Sequence, residues 1–375
     1  MKKSAFLALI ALMISSGILA SAVEIPQQKA TLATLIKVND YFMKNWPDAG
    51  QPTFVKKVRP SNLWTRAVYF EGLMALYSIY PNAKYLQYAL EWGDFHKWTP
   101  RNGNTTRDAD DYCCSQTYID VYNITHDWRH VQNAKVNADM LVNTPQCGDW
   151  TWIDAIQMGM PVLTKLGALT GEQKYFDKAW DMYSCSRNEI GGGLYNKADG
   201  LWWRDKDFVP PYKEPNGEDC YWSRGNGWVY AALVRVLQDL PATDPHRADY
   251  IADFKEMSKA LLKCQRPDGF WNVSLHDPNN YGGKELTGTA LFVYGMAWGI
   301  NNGILDASTY LAPCVKAWDA MVKDAVHPNG FLGFVQGTGK EPKDSQPVTY
   351  DSKPDFDDYG TGCFLLAGTE IYKLK

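Results

Sequence analysis

Apolar residues recur at helical spacing along nearly the whole of this chain, and the segments they mark are of two alternating kinds. One kind is apolar or small on every side, as in residues 156–163 and 288–298. The other has an apolar stripe and a polar face, as in residues 173–180 and 249–257. A helix apolar all round must be covered by protein on all sides, whereas one with a polar face lies at the surface. The spacing predicts helices near 27–46, 64–80, 82–97, 113–122, 131–142, 152–168, 172–186, 227–239, 246–264, 287–300, 308–326 and 358–372. Short turns such as Thr170-Gly171-Glu172 and Tyr80-Pro81-Asn82 join an inner helix to the next outer one. Six inner and six outer helices in strict alternation make an all-α (α/α)6 double toroid, a six-hairpin barrel. An open α-solenoid is the competing architecture, but it needs polar capping repeats at its ends, and none is evident. Pro161, within an inner helix, should kink that helix or fix its packing.

The barrel is expected to begin after residue 22. Lys2 and Lys3 precede an apolar run, and Ala20-Ser21-Ala22 fits signal-peptidase cleavage after Ala22. The run is short for a membrane span and has no charged stop-transfer flank. The expected organisation is a signal peptide over 1–22 and one barrel domain over 23–375, periplasmic or secreted and free of the membrane after cleavage. Lys plus Arg is 38 and Asp plus Glu is 42, a net charge of -4 that makes no electrostatic case for binding nucleic acid. The 8 Cys of an exported chain permit disulfides. Cys113, Cys114, Cys185, Cys264, Cys314 and Cys363 nevertheless sit in apolar, helix-like runs, where a free thiol acts as a small hydrophobe. Buried thiols are expected, with room for one or two bridges. Oligomeric state is not legible.

In an alternating toroid the loops entering the inner helices all open on one face, and here those are the long ones. They carry residues that a core does not need: Trp64 and Arg66; Asp110 and Asp111; Trp150, Trp152 and Asp154; Trp203 and Arg204; Trp222, Arg224 and Trp228; Glu285 and Thr287. A single charged residue before a helix is usually a cap. So many on one face, with 15 Trp and 22 Tyr in the chain, suggest a groove that stacks flat, half-polar ligands such as sugars, although a Trp-rich core has the same composition.

Asp154 is the sharpest single residue. It follows Trp150 and Trp152 and opens an apolar helix, so its carboxyl should be desolvated and able to hold a proton near neutral pH. Asp111 is the natural second carboxylate, because paired acids are what glycoside hydrolysis uses. Arg224 lies between Trp222 and Trp228 in what reads as a Gly-flanked turn, an arrangement suited to clamping an acidic sugar. Other constellations are weak. His126 and His130 lack the Glu and third ligand of a zinc helix, and the acidic runs near Asp108 and Asp355 lack the calcium-loop pattern, so no metal is expected. Phosphate-loop and dinucleotide fingerprints are missing as well, so no organic cofactor is expected.

Taken together, the motifs Asp110-Asp111-Tyr112-Cys113-Cys114-Ser115-Gln116-Thr117-Tyr118, Trp150-Thr151-Trp152-Ile153-Asp154-Ala155, Trp222-Ser223-Arg224-Gly225-Asn226-Gly227-Trp228 and Gly282-Gly283-Lys284-Glu285-Leu286-Thr287-Gly288-Thr289-Ala290 resemble glycoside hydrolase family 105. These are the unsaturated rhamnogalacturonyl hydrolases, relatives of the family 88 unsaturated glucuronyl hydrolases. The resemblance covers nearly all of the chain after the leader. It implies a single catalytic (α/α)6 barrel without cofactor, acting on pectin-type oligosaccharides that carry a 4,5-unsaturated uronate at the non-reducing end. It also implies hydration of the C4=C5 bond, with Asp154 as proton donor and then base. Asp111 would hold the sugar hydroxyls, with Asp110 an alternative match, and Trp222, Arg224 and Trp228 would form the sugar-binding turn. Many relatives have a His where this chain has Trp202-Trp203-Arg204-Asp205, and another where it has Tyr112. The preferred uronate, galacturonyl or glucuronyl, is therefore open. Competing readings are a conventional glycosidase on saturated sugars, a polysaccharide lyase on the same toroid, and a glycan-binding protein without turnover.

Overall fold

The protein is described by a computed structural model covering residues 23–54 and 58–375, and the leader expected over 1–22 lies outside the described residues. The outer helices are α1 (Gln28–Asn45), α3 (Ala83–Phe95), α6 (Gln132–Val142), α8 (Gln173–Asn188), α10 (Arg247–Lys263) and α12 (Ala307–Asp324). The inner ones are α2 (Trp64–Ile79), the pair α4 (Ala109–Tyr112) and α5 (Ser115–Thr125), α7 (Asp154–Thr170), α9 (Ser223–Asp239), α11 (Leu286–Asn301) and α13 (Asp358–Lys373). Inner helices pack side by side in the cyclic order α2, α5, α7, α9, α11, α13 and back to α2. This closure makes the molecule an (α/α)6 barrel and excludes the open solenoid.

The ring closes where two glycines meet. A Cβ on Gly72 of α2 would lie 2.5 Å from the carbonyl oxygen of Gly362 on α13, and one on Gly362 would lie 2.2 Å from that of Val68. Only glycine lets the two backbones approach so closely. Aromatic stacks tie inner helices to outer ones: Phe70 on Trp92 with centroids 4.0 Å apart, Tyr230 on Phe254 at 4.7 Å, and Phe364 on Trp318 at 4.9 Å. Asn82 and Asp306 cap α3 and α12 by accepting from the backbone N–H groups of Lys84 and Ser308. Gly171, at φ 72°, ends α7, which runs unbroken through Pro161.

The long connections all lie at the N-terminal ends of the inner helices. They include two short antiparallel hairpins, Thr53–Phe54 with Val58–Arg59 and Tyr195–Asn196 with Leu201–Trp202. Isolated β-bridges, Trp152 with Asp205, Trp222 with Ser274 and Trp271 with Glu285, stitch these connections together. Two expectations are corrected. Helix α9 starts at Ser223, so residues 224–227 are its first turn and not a loop. A Cβ on Gly225 would press on Ile153, and one on Gly227 on Leu291, so these glycines serve helix packing and not ligand approach. The second correction is Cys185, which is joined to Cys147 in a disulfide and is not a free buried thiol. Among the described residues no helix is long and apolar enough to cross a membrane.

Candidate active site

The bridge between Trp152 and Asp205, with the 2.9 Å bond from the N–H of Ile153 to the carbonyl of Arg204, lays residues 203–205 along the start of α7. Arg204 thereby donates from Nε to Oδ2 of Asp154 at 3.3 Å and from Nη1 to Oδ2 of Asp205 at 2.7 Å. Asp154 is the first residue of α7 and only 8% exposed. Burial lifts its pKa above the ordinary aspartate value, and the guanidiniums of Arg204 and Arg224 offset part of the rise.

Helix α4 supplies two more acids. Asp108 caps it by accepting from the N–H of Asp110 at 3.0 Å. Asp110 and Asp111 follow, roughly 100° apart around the helix, so they meet different surroundings. Asp111 is buried, and its oxygens accept from Arg101 Nε at 2.5 Å, Asn102 Nδ2 at 2.9 Å and Thr106 Oγ1 at 2.7 Å. Its carboxylate fastens the 101–106 loop to α4. Asp110 is half-buried and has its pKa pushed up to about 8, by burial first and then by the charges of Asp108 and Asp154, with Arg101 and Arg204 opposing. The carboxylate that shares a field with Asp154 is therefore Asp110. The expectation that placed Asp111 there is corrected: one residue along a helix turns a side chain from the site into the wall.

The tryptophans divide in the same way. Trp152, Trp203 and Trp64 are half-buried, and they offer ring faces or edges at this end of the barrel. Trp64 also meets Trp228 edge-on, with centroids 6.0 Å apart. Trp150, Trp222 and Trp228 were expected as platforms, but each is fully enclosed. Trp150 donates to the hydroxyl of Tyr112 at 2.8 Å, and Trp222 donates to Oε1 of Gln336 at 3.0 Å. Much of the tryptophan content is thus core, the blander of the two readings of composition.

Four further expected contacts are structural. Arg224 is 1% exposed, donates to the carbonyls of Gln336 at 2.6 Å and Gly337 at 2.8 Å, and lies over the rings of Trp222 and Tyr359. It clamps the 336–337 segment of the connection before α13 and not a sugar, although its charge still reaches Asp154. Arg66 is enclosed against Asp358, Phe42 and Trp46. Glu285 is the N-cap of α11, accepting from the N–H groups of Thr287 at 2.9 Å and Gly288 at 2.7 Å and from the hydroxyl of Thr287 at 2.6 Å. Thr287 is consumed by the same cap.

Sequence reasoning missed Arg101, Gln336 and Tyr359. The hydroxyl of Tyr359 and Nη1 of Arg224 both donate to the Gln336 carbonyl, which lies 112 residues from Arg224, so nothing local announces it. Arg101 could have been suspected from its loop. Of the residues considered as metal ligands, His130 stacks with Trp98 and bonds Thr125. Cys147, Cys185 and Glu189 form one close group of possible ligands among the described residues, and its two sulfurs are bonded to each other. A cleft of about 1110 Å³ lies at the opposite end of the barrel, among residues such as Leu237, Trp298 and Glu370, away from the carboxylates.

A closed ring of six inner and six outer helices, with buried acids and half-open tryptophans where the inner helices begin, is the plan of an (α/α)6 glycoside hydrolase. The chain belongs to glycosyl hydrolase family 88, whose family model matches residues 34–375. It is similar to a curated unsaturated 3S-rhamnoglycuronyl hydrolase of Formosa agariphila, with 38% identity over 231 residues. That match takes in 60% of this chain and 58% of the relative, so the chain spans less than two thirds of the relative's length. A solved family 88 glycosyl hydrolase from Bacteroides vulgatus superimposes with a TM-score of 0.85 at 32% identity, over 93% of this chain and 100% of that one. A solved structure called a polysaccharide lyase matches with a TM-score of 0.84 at 32% identity, over 92% and 97%.

Proposed function

We propose that this protein removes a 4,5-unsaturated uronate from the non-reducing end of short, lyase-generated oligosaccharides by hydrating the C4=C5 bond. The observation that carries the reading is the acid pair Asp154 and Asp110, two carboxyls with raised pKa in one field beside Arg204. Family membership and the name of the Formosa relative support it, and that name favours a rhamnoglycuronyl unit over a pectin fragment.

In this mechanism Asp154 delivers its proton to C4, and the π electrons of the enol ether form the new C–H bond. Positive charge develops at C5 and the ring oxygen. Water adds at C5, and Asp154 takes back a proton from it. The resulting hemiketal opens at the C5–O bond to a ketone. The hydroxyl released at C1 then collapses to an aldehyde and expels the neighbouring sugar. Burial raises the pKa of both Asp154 and Asp110, which favours the protonated form that a donor needs. The uronate carboxylate on C5 sits next to the carbon that is protonated, within reach of Arg204. Drawing Arg204 towards the substrate weakens its hold on Asp154 and raises the Asp154 pKa, which favours the protonated donor. Trp152 and Trp203 border the sugar. The leader-like segment supports action in the periplasm or outside the cell, which N-terminal sequencing of the mature protein would check.

The test uses an unsaturated uronyl disaccharide and follows the ultraviolet absorbance of its conjugated alkene. Wild type should bleach it, and Asp154→Asn should bleach it at least a thousandfold more slowly while keeping its fold. A rise in absorbance on intact acidic polysaccharide would instead favour the lyase reading, which the lyase-named neighbour makes worth running.

A further inference from the structure

Asp205 has no part in the mechanism above, yet it is buried at the start of α7, where its backbone bridges that of Trp152. Both of its carboxylate oxygens are engaged. Oδ1 accepts from the N–H of Asp207 at 2.9 Å, and Oδ2 accepts from Nη1 of Arg204 at 2.7 Å. The N–H of Phe208 donates to the Asp205 carbonyl at 3.0 Å and closes a turn, so the carboxylate stands on a fixed backbone.

The two contacts of Arg204 are unequal. The 2.7 Å bond to Asp205 has the length of a full charge-assisted hydrogen bond, whereas the 3.3 Å contact from Nε to Asp154 is a loose one. The guanidinium is thus chiefly the partner of Asp205. This inequality bears on the reaction, because an arginine beside an acid favours the ionised acid. Were Arg204 paired with Asp154 alone, the two would make an ordinary buried ion pair, and Asp154 would have no proton to deliver.

The other charges nearby leave this arrangement intact. Asp154 also faces Arg224 from α9, but that guanidinium is bonded to the carbonyls of Gln336 and Gly337. Asp110, from α4, faces both Asp154 and Arg204. Among the described residues Asp205 forms an ion pair with Arg204 alone. The next acid along the chain, Asp207, is exposed and lies 3.9 Å from Lys206 and 3.7 Å from Lys340.

We infer that Asp205 is a positioning residue for the reaction: it holds the Arg204 guanidinium in place and takes up part of its charge, so that Arg204 stands beside Asp154 without forcing that acid to ionise. This rests on the unsaturated-uronide reading above, in which Asp154 must carry a proton.

The experiment follows the pH dependence of kcat/KM on an unsaturated uronyl disaccharide, since kcat/KM reports the free enzyme, in which these contacts are made. Asp205→Asn and Asp205→Ser both remove the charge, and Ser serves if the Asn variant does not fold. Either should move the alkaline limb about one pH unit lower, which is a loss of about tenfold above the limb and a much smaller one below it. Arg204 also faces Asp110, so the sign is the same for both acids. Asp205→Glu, which keeps the charge, should bring the limb part of the way back. Arg204→Gln should move the limb in the other direction. In that background Asp205→Asn should move it little, as expected of a residue that acts through Arg204. An equal loss at every pH would mean that Asp205 only ties down its turn, and it overturns the inference. A limb that stays in place or moves up overturns it too, with the uronide reading intact. Carbon-13 titration of the Asp154 carboxyl makes the same comparison without substrate: a lower pKa in Asp205→Asn supports the inference, and an equal one overturns it. Failure of wild type to bleach any unsaturated uronide would remove the uronide reading itself, and the carboxyl titration would still decide whether Asp205 governs Asp154.

Discussion

Arg204 and Asp154 are joined across 50 residues of sequence by a 3.3 Å contact from Nε to Oδ2. The bond fixes the connection before α9 to the first turn of α7, and it sets a positive charge against the acid proposed to donate the proton. Removing that charge takes away a stabiliser of the ionised form, so the Asp154 pKa must rise further. Arg204→Gln should therefore shift the alkaline limb of the kcat profile to higher pH. It should also raise KM by about tenfold, through the lost grip on the uronate. A pH–rate series on the unsaturated disaccharide checks both.

Asp110→Asn should uncouple stability from pH. An ordinary aspartate titrates near 3.8, and Asp110 is pushed up to about 8 in the folded protein. Between these values the folded state holds a proton that the unfolded chain has released, so stability falls as pH rises through the window. The variant lacks this loss. Its Tm should equal that of wild type near pH 4 and exceed it by a few degrees near pH 8, while turnover drops at least tenfold. Thermal melts at several pH values give the answer, and a constant Tm difference across the range would contradict the assignment.

Asp111→Asn should behave in the opposite sense, although it is the adjacent residue. Its carboxylate holds Arg101, Asn102 and Thr106, and an amide cannot accept from all of them with the same charge-assisted strength. A loss of about 1–3 kcal/mol is expected, visible as a lower urea midpoint. Activity should fall less than in Asp110→Asn.

Arg224→Met tests whether that arginine is a clamp on protein or on sugar. The change strips donors from the buried carbonyls of Gln336 and Gly337. The Gln336 carbonyl keeps the Tyr359 hydroxyl, but leaving the Gly337 carbonyl unpaired should cost about 1–3 kcal/mol. Denaturant unfolding should show it clearly. A variant of unchanged stability with a greatly raised KM would return Arg224 to the substrate.

The Cys147–Cys185 bridge closes a span of 38 residues that includes Trp150, Trp152 and Asp154. In the chain-entropy account such a bridge stabilises by up to about 4 kcal/mol. The same loop is also held by Lys178, which donates to the carbonyls of Thr144 and Gln146, and by the Arg107–Asp149 pair. Reductant should therefore lower Tm by several degrees without unfolding the protein at room temperature, as scanning calorimetry with and without dithiothreitol would show.

The sequence alone determined the architecture and the face that bears the site. All-round apolar helices can only be inner and striped ones only outer, so their alternation implies the ring, and the long connections then converge on one end. The burial of Asp154 was legible too, because a carboxyl that opens an apolar helix after two tryptophans has little but protein around it. What remained for the tertiary structure was which of several equally plausible side chains face the site. Asp110 and Asp111 differ by one step of helix rotation, and the partners that claim Asp111 lie on a loop whose path no periodicity encodes. Trp222, Trp228, Arg224 and Glu285 look like ligand contacts in a motif, but they are enclosed by Gln336, Tyr359 and the neighbouring helices. The difference is one of range: helical periodicity is set by neighbours within a few residues, whereas burial of a polar or aromatic side chain depends on groups that meet it only once the ring has closed.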